Sequence, residues 1–216
     1  MSLRKALALT TALLALAFGA WAQSPYATLT PAQPTENGKI EVVEFFWYGC
    51  PHCAALEPDV VAWEKKLPKD VVFKRVPAAS GGWGEHAKIF YTLEAMGLLG
   101  QYHQKVFDAI HKDGVNLVNK KSREEWLAKN GIDPAKYNET EKSFSVASKL
   151  ARAQQLTQSY KVDSVPRVFV AGKYYTSGEQ AGGPQGVFPV VDQLVAMARK
   201  ESTTTTPVAA PAPAKK

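Results

Sequence analysis

Glu41-Val42-Val43-Glu44-Phe45-Phe46-Trp47-Tyr48-Gly49-Cys50-Pro51-His52-Cys53 reads as a strand that breaks and restarts as a helix. β-branched and aromatic residues from Glu41 to Trp47 fit a mostly buried strand, and Tyr48-Gly49 interrupts it. From Pro51 onward, Leu56, Val60, Trp63 and Leu67 recur at helical spacing, and the pattern stops before Pro68. Cys50 is thus expected at the N-terminus of a helix, with Pro51 in the first turn, where a missing N–H costs nothing. Unpaired first-turn amides and the positive end of the helix dipole stabilise a thiolate more than a thiol. His52, protonated or donating a hydrogen bond, adds to the same effect.

The chain has 2 cysteines, and they form this motif. A structural disulfide is the ordinary use of such a pair in an exported protein. Here it would close a very short loop, and the chain-entropy gain of a crosslink falls with loop length. Zinc needs about four ligands, and His86, His103 and His111 show no ligand spacing with the pair. The preferred reading is a redox-active pair and no metal. Each unit by which the thiol pKa falls is about 1.4 kcal/mol in favour of the thiolate. Only the reduced protein has that thiolate, so the depression favours the dithiol over the disulfide, and such a disulfide oxidises other thiols. Cys50 is expected to be the attacked sulfur and the leaving group. Cys53, inside the helix, is expected to resolve the mixed disulfide.

Further along, Ser164-Val165-Pro166 precedes Arg167 to Ala171, then Gly172-Lys173 and Tyr174-Tyr175, a loop followed by a hairpin. Taken alone, Pro166 reads equally well as a proline opening an edge strand. Glu44 sits within an otherwise apolar strand, and Lys74 sits in Val71-Val72-Phe73-Lys74-Arg75-Val76, the expected neighbouring strand. A buried carboxylate is disfavoured unless it is paired or moves protons; the alternative is a solvated face or a routine ion pair. Glu57 lies one helical turn past Cys53.

Helical patterning fills Gly84 to Tyr160. Tyr102, Val106, Phe107 and Ile110 mark one face, and Ser122 with Glu125 reads as a capping box closed by Gly131. Asp133-Pro134 starts another helix. Val146, Leu150, Ala153, Thr157 and Tyr160 continue the period, with Thr157 interrupting the apolar series. A final helix, Val187 to Lys200, is expected to bury Phe188, Val191, Leu194 and Val195.

The ends differ from this middle. Arg4 and Lys5 precede an apolar run, Ala6 to Ala17, and Ala20-Trp21-Ala22, the pattern of a secretory signal cut after Ala22. An uncleaved membrane anchor is the alternative; no cysteine near the cut allows a lipid anchor. Residues 23–38 read as an irregular arm. Residues 201–216, with Thr203 to Thr206 leading into a Pro/Ala segment, read as a disordered tail. The formal charge of +6 owes much to these ends: apart from Arg4, Lys5, Lys215 and Lys216, 22 of the 26 basic residues face 20 acidic ones. With no basic run carrying interleaved aromatics, nucleic acid is not expected as a partner.

Glu44-Phe45-Phe46 followed by Cys50-Pro51-His52-Cys53 resembles the DsbA-type thiol:disulfide oxidoreductases of the bacterial periplasm. The resemblance spans about residues 39–200 and implies an α/β thioredoxin-like fold with an inserted helical domain. The thioredoxin-like parts would be residues 39–82 and 161–200, and the insertion residues 83–160. It implies a dithiol oxidase that passes its disulfide to newly exported polypeptides. Pro166 would be cis and face the disulfide, leaving the Val165 backbone to pair with an extended substrate. Glu44, Lys74 and Glu57 match acids and a lysine that tune cysteine protonation beneath the disulfide. The resemblance implies reoxidation by a quinone-linked membrane partner of the DsbB type, and the protein is taken as a monomer without a soluble cofactor. Two rivals stand beside it. One is an isomerase or reductase on the same fold; isomerases of this type usually bring a dimerisation domain ahead of the thioredoxin-like part. The other is a holdase in which the cysteines are incidental.

Overall fold

The computed structural model describes residues 24–35 and 38–204; the signal expected at 1–22 and everything from residue 205 on lie outside them. Among the described residues, five strands form one sheet: β1 (Ala27–Thr28), β2 (Ile40–Phe46), β3 (Val71–Pro77), β4 (Arg167–Val170) and β5 (Tyr174–Thr176). Their order is β1-β5-β4-β2-β3, with β2 and β3 parallel and every other pair antiparallel. A parallel pair needs a crossover, and the helix that begins at the cysteines supplies it. The arm expected to be irregular contributes an edge strand, with Ala27 opposite Tyr175 and Thr28 opposite Tyr174.

The seven α-helices among these residues are α1 (Pro51–Glu64), α2 (Gly84–Ala95), α3 (Leu99–His111), α4 (Lys120–Lys129), α5 (Pro134–Glu141), α6 (Phe144–Ser159) and α7 (Val187–Thr204). Helices α1 and α7 cover one face of the sheet, where Ile40, Val42, Val168 and Val170 meet Leu56, Val60, Val191 and Leu194. Val43, Phe45 and Phe169 point the other way, into a core shared with the helices between β3 and β4. Strand β2 is therefore buried at all seven positions, which is why it reads as a nearly continuous apolar run rather than an alternating one.

Three element ends differ from the sequence reading. Helix α1 stops at Glu64 rather than Leu67; a residue before proline is pushed out of the helical region, and Leu67 packs against the core from outside the helix. Helix α4 is capped not by Ser122 but by Asn119, whose side chain accepts from the Ser122 amide, an equally good N-cap set earlier in the chain. Helix α7 continues past Lys200 to Thr204, with Glu201 ion-paired to Lys173 of the hairpin at 2.9 Å. Thr157, the polar interruption on α6, is buried and satisfied: its hydroxyl donates to the Ala153 carbonyl at 2.7 Å and accepts from the Ala79 amide at 3.2 Å. That bond joins α6 to the chain leaving β3, close to the site.

Candidate active site

Cys50 is the N-cap of α1, with extended backbone (φ −90°, ψ 117°) and Pro51 at the first helical position. The turn before it is tight. The Cys50 amide donates to the Trp47 carbonyl at 2.9 Å, and a Cβ on Gly49 would run into the Trp47 ring, which is stacked on Trp83. Glycine is the residue that lets the strand deliver the cysteine there.

Both cysteines are thiols in this structure, and their surroundings pull them apart. Cys50 is 7% exposed and Cys53 1%. The Cys50 thiol is lowered to about 6: hydrogen bonding from the Cys53 thiol is the main cause, burial opposes it, and the Cys53 and His52 amides and the His52 charge assist. Cys53 is driven far above the ordinary thiol range, first by burial, then by Cys50, with Glu44 adding to it. His52 is exposed, so its effect on Cys50 is exerted from the solvent side.

The second motif arrives opposite. The Val165–Pro166 peptide is cis, and the Val165 carbonyl accepts from the Cys50 thiol at 3.4 Å. Beside it runs a groove of about 420 Å³ lined by His52, Leu56, Val165, Pro166, Pro184 and Val187 among others. Its walls are mainly apolar.

Behind the pair the structure departs from expectation. Glu44 is buried (1% exposed) beneath Cys53, but its cationic neighbour is not Lys74. In the β2–β3 register Glu44 stands opposite Arg75, and Val43 opposite Lys74. Neighbouring residues of a strand point to opposite faces, so Arg75 faces α1 while Lys74 faces the α6 side. Lys74 Nζ lies 2.6 Å from Glu41 Oε2. Arg75 is 3.9 Å from Glu44, 3.1 Å from Glu57 and 2.8 Å from Glu64. Glu57, the second acid of the sequence reading, is thus in the cluster; on its other oxygen it meets His103 Nε2 at 3.5 Å. The Glu44 carboxyl is raised to about 8, first by burial, then by the Glu57 charge; Arg75 opposes and Glu64 adds a little. At neutral pH it holds its proton.

The sequence reading missed Arg75, His103 and Tyr48. A weak signal for Arg75 existed, since parallel register and strand alternation decide which of two adjacent cations faces the helix. His103, on α3 and 50 positions beyond Cys53, belongs to no local pattern. Among the described residues no group of three or more His, Cys, Asp or Glu side chains is placed to hold a metal ion.

A family model for the DSBA-like thioredoxin domain matches residues 69–188. The chain belongs to that family. It is 47% identical over 169 residues to the thiol:disulfide interchange protein DsbA of Azotobacter vinelandii, covering 78% of each chain. With the protein of that name from Pseudomonas aeruginosa it shares 42% identity over 196 residues, 86% of this chain and 93% of the relative. The crystal structure of Pseudomonas aeruginosa DsbA superimposes with a TM-score of 0.79 at 41% identity, covering 83% of this chain and 95% of that one. DsbA from Xylella fastidiosa gives 0.74 at 29% identity, covering 81% and 95%. As a DSBA-like protein the chain is a thiol:disulfide oxidoreductase, and its fold is thioredoxin-like with an inserted helical domain.

Proposed function

We propose that this chain donates a Cys50–Cys53 disulfide to reduced polypeptides newly exported to the bacterial periplasm. The observation that carries the reading is the placement of Cys50 at a helix N-terminus, 3.4 Å from the Val165 carbonyl, with Cys53 buried behind it. A substrate segment lies extended along Val165-Pro166, using the free backbone edge there and the apolar groove beside it. Its thiolate attacks Cys50 Sγ and the Cys50–Cys53 bond breaks. Cys53 departs with the electron pair and takes a proton, since a buried thiolate is costly; Glu44 supplies it. A second substrate thiolate then attacks the first substrate sulfur, and Cys50 leaves as a thiolate held by its helix amides and His52. The substrate gains a disulfide, and this protein keeps two electrons as a dithiol.

Glu57 and Arg75 set the protonation of Glu44, and Lys74, paired with Glu41, acts from the other face of the sheet. Residues 39–82 and 161–200 form the thioredoxin-like part in this reading, and 83–160 the insertion. Residues 1–22 act as a cleaved signal, the mature protein works as a monomer, and a DsbB-type quinone-linked membrane oxidase removes the two electrons. The test is equilibration of the cysteine pair with glutathione at pH 7. A reduction potential well above about −180 mV is expected for a disulfide donor; one near about −270 mV, the thioredoxin range, overturns the assignment in favour of a reductase.

A further inference from the structure

Glu57, which sets the protonation of Glu44, is the first of three buried groups in a line, and the exchange steps use neither of the other two. Glu57 Oε2 lies 3.5 Å from His103 Nε2, and His103 Nδ1 lies 2.7 Å from the Tyr48 hydroxyl. Glu57 is 3% exposed, His103 8% and Tyr48 0%. His103 Nε2 has no hydrogen-bond partner among the described residues, and Glu57 is the acid it faces. Burial, and then the Glu57 charge, hold the proton on the Tyr48 phenol, so its O–H donates to Nδ1. A neutral imidazole that accepts at Nδ1 carries its proton on Nε2, aimed here at Glu57. The His111 ring lies at the backbone carbonyl of the same tyrosine, with Nε2 at 2.8 Å, so α3 grips Tyr48 at two points.

We propose that His103 is a positioning residue of the exchange reaction: with Tyr48 setting its tautomer, its Nε2–H faces the Glu57 carboxylate from 3.5 Å and keeps it beside Arg75 and Glu44, the acid that exchanges a proton with Cys53. The inference rests on the reading of Glu44 as the proton partner of Cys53. Glu57 is the largest influence on Glu44 after burial itself, while neither Glu44, Glu57 nor His103 figures among the causes acting on Cys50. The back of the site therefore acts on the front through Cys53 and not directly. The titratable and charged groups that face this line are Glu44 on β2, Arg75 on β3, Cys53 and Glu64 on α1, His86 on α2, His111 on α3 and Tyr137 on α5. His86, which packs against the Tyr48 ring, is lowered to about 4 by burial and by His111, so it is neutral where the reaction runs.

The test follows the step in which the Cys53 thiol gives its proton to Glu44, attacks Cys50 Sγ in a Cys50–glutathione mixed disulfide, and releases glutathione thiolate. Its rate in the wild type is expected to rise with pH through a midpoint near 8, where Glu44 becomes a carboxylate. His103→Phe removes the polar group that faces Glu57, weakens the hold on that carboxylate, and is expected to lower the midpoint by about half a pH unit, less than a full charge-assisted hydrogen bond would give. His103→Gln keeps an N–H in the Nε2 position and is expected to restore the wild-type profile. Tyr48→Phe, which frees the tautomer, is expected to move the midpoint in the same direction by less. Throughout, the Cys50 thiolate titration, read from ultraviolet absorbance, is expected to stay near pH 6. An unchanged midpoint in His103→Phe overturns the proposal, as does a Cys50 titration that moves with it, the mark of general loosening. Glu44→Gln separates the two levels. If it abolishes the midpoint while His103→Phe leaves it in place, only the role of His103 fails; if it leaves the midpoint intact, the reading of Glu44 fails as well.

Discussion

The front and the back of the cysteine pair are built by different means. The front is local: one helix start carries Cys50, Pro51 and His52, and one loop brings Val165 and Pro166 opposite. The back is assembled from four elements, with Glu44 on β2, Arg75 on β3, Glu57 on α1 and His103 on α3. Around Cys50, the Cys53 thiol first and then the helix amides and His52 stabilise a charge on an exchange-ready sulfur. Back groups control a proton in a buried place where an uncompensated charge is expensive. The two sulfurs of one disulfide can therefore be tuned in opposite directions, although they sit three residues apart.

The most severe way to break this comparison is to remove the front sulfur. Cys50→Ala is expected to abolish oxidation of a reduced, unfolded polypeptide, a loss beyond about a thousandfold. Activity retained in that variant would mean the cysteines are incidental and the protein a holdase.

Deleting the cation at the back comes next. Arg75→Met leaves Glu44, Glu57 and Glu64 without their shared guanidinium, and chemical denaturation is expected to show a loss of about 3–5 kcal/mol. Lys74→Met is expected to cost distinctly less, because that ammonium is 36% exposed and is not part of the cluster under Cys53. Equal losses would erase the distinction between the two faces of β3.

The mildest probe is pH. In the dithiol protein the folded Cys50 thiol, at about 6 against an ordinary 9, is depressed. Its stabilisation is fully present above pH 9 and is lost as pH falls through 6. Glu44, raised to about 8 from an ordinary 4.5, acts in the opposite sense: its contribution is fully present below 4.5 and is lost as pH rises through 8. In the disulfide form only the second remains. The stability of the dithiol form relative to the disulfide form is therefore expected to grow as pH rises from 6 to 9, measured by denaturation of both forms. His52→Ala is expected to shrink that gain slightly, since its charge is the smallest of the causes acting on Cys50. A large effect would place the front's control in His52 rather than in Cys53 and the helix amides.

The sequence by itself determined whatever depends on neighbours along the chain. Strand, break and helix around Cys50, the hairpin after Pro166 and the apolar stripe of α7 follow from propensity, period and turn chemistry within a dozen residues or so. It also marked Glu44 as an acid in an unusual place, because a charge inside an apolar strand is visible without a structure, whereas Glu57 was singled out only by the family resemblance. It did not show which cation meets them. That depended on the register between β2 and β3, which sets Arg75 rather than Lys74 opposite Glu44, and a shift of one residue along a strand exchanges its two faces. Nor did it show His103 and Tyr48 closing the cluster, since their meeting is decided by where α3 packs against α1 and the Trp47–Gly49 turn. Local interactions are written in residue order; the protonation of a buried cluster depends on distances between segments far apart in the chain, and packing alone sets those.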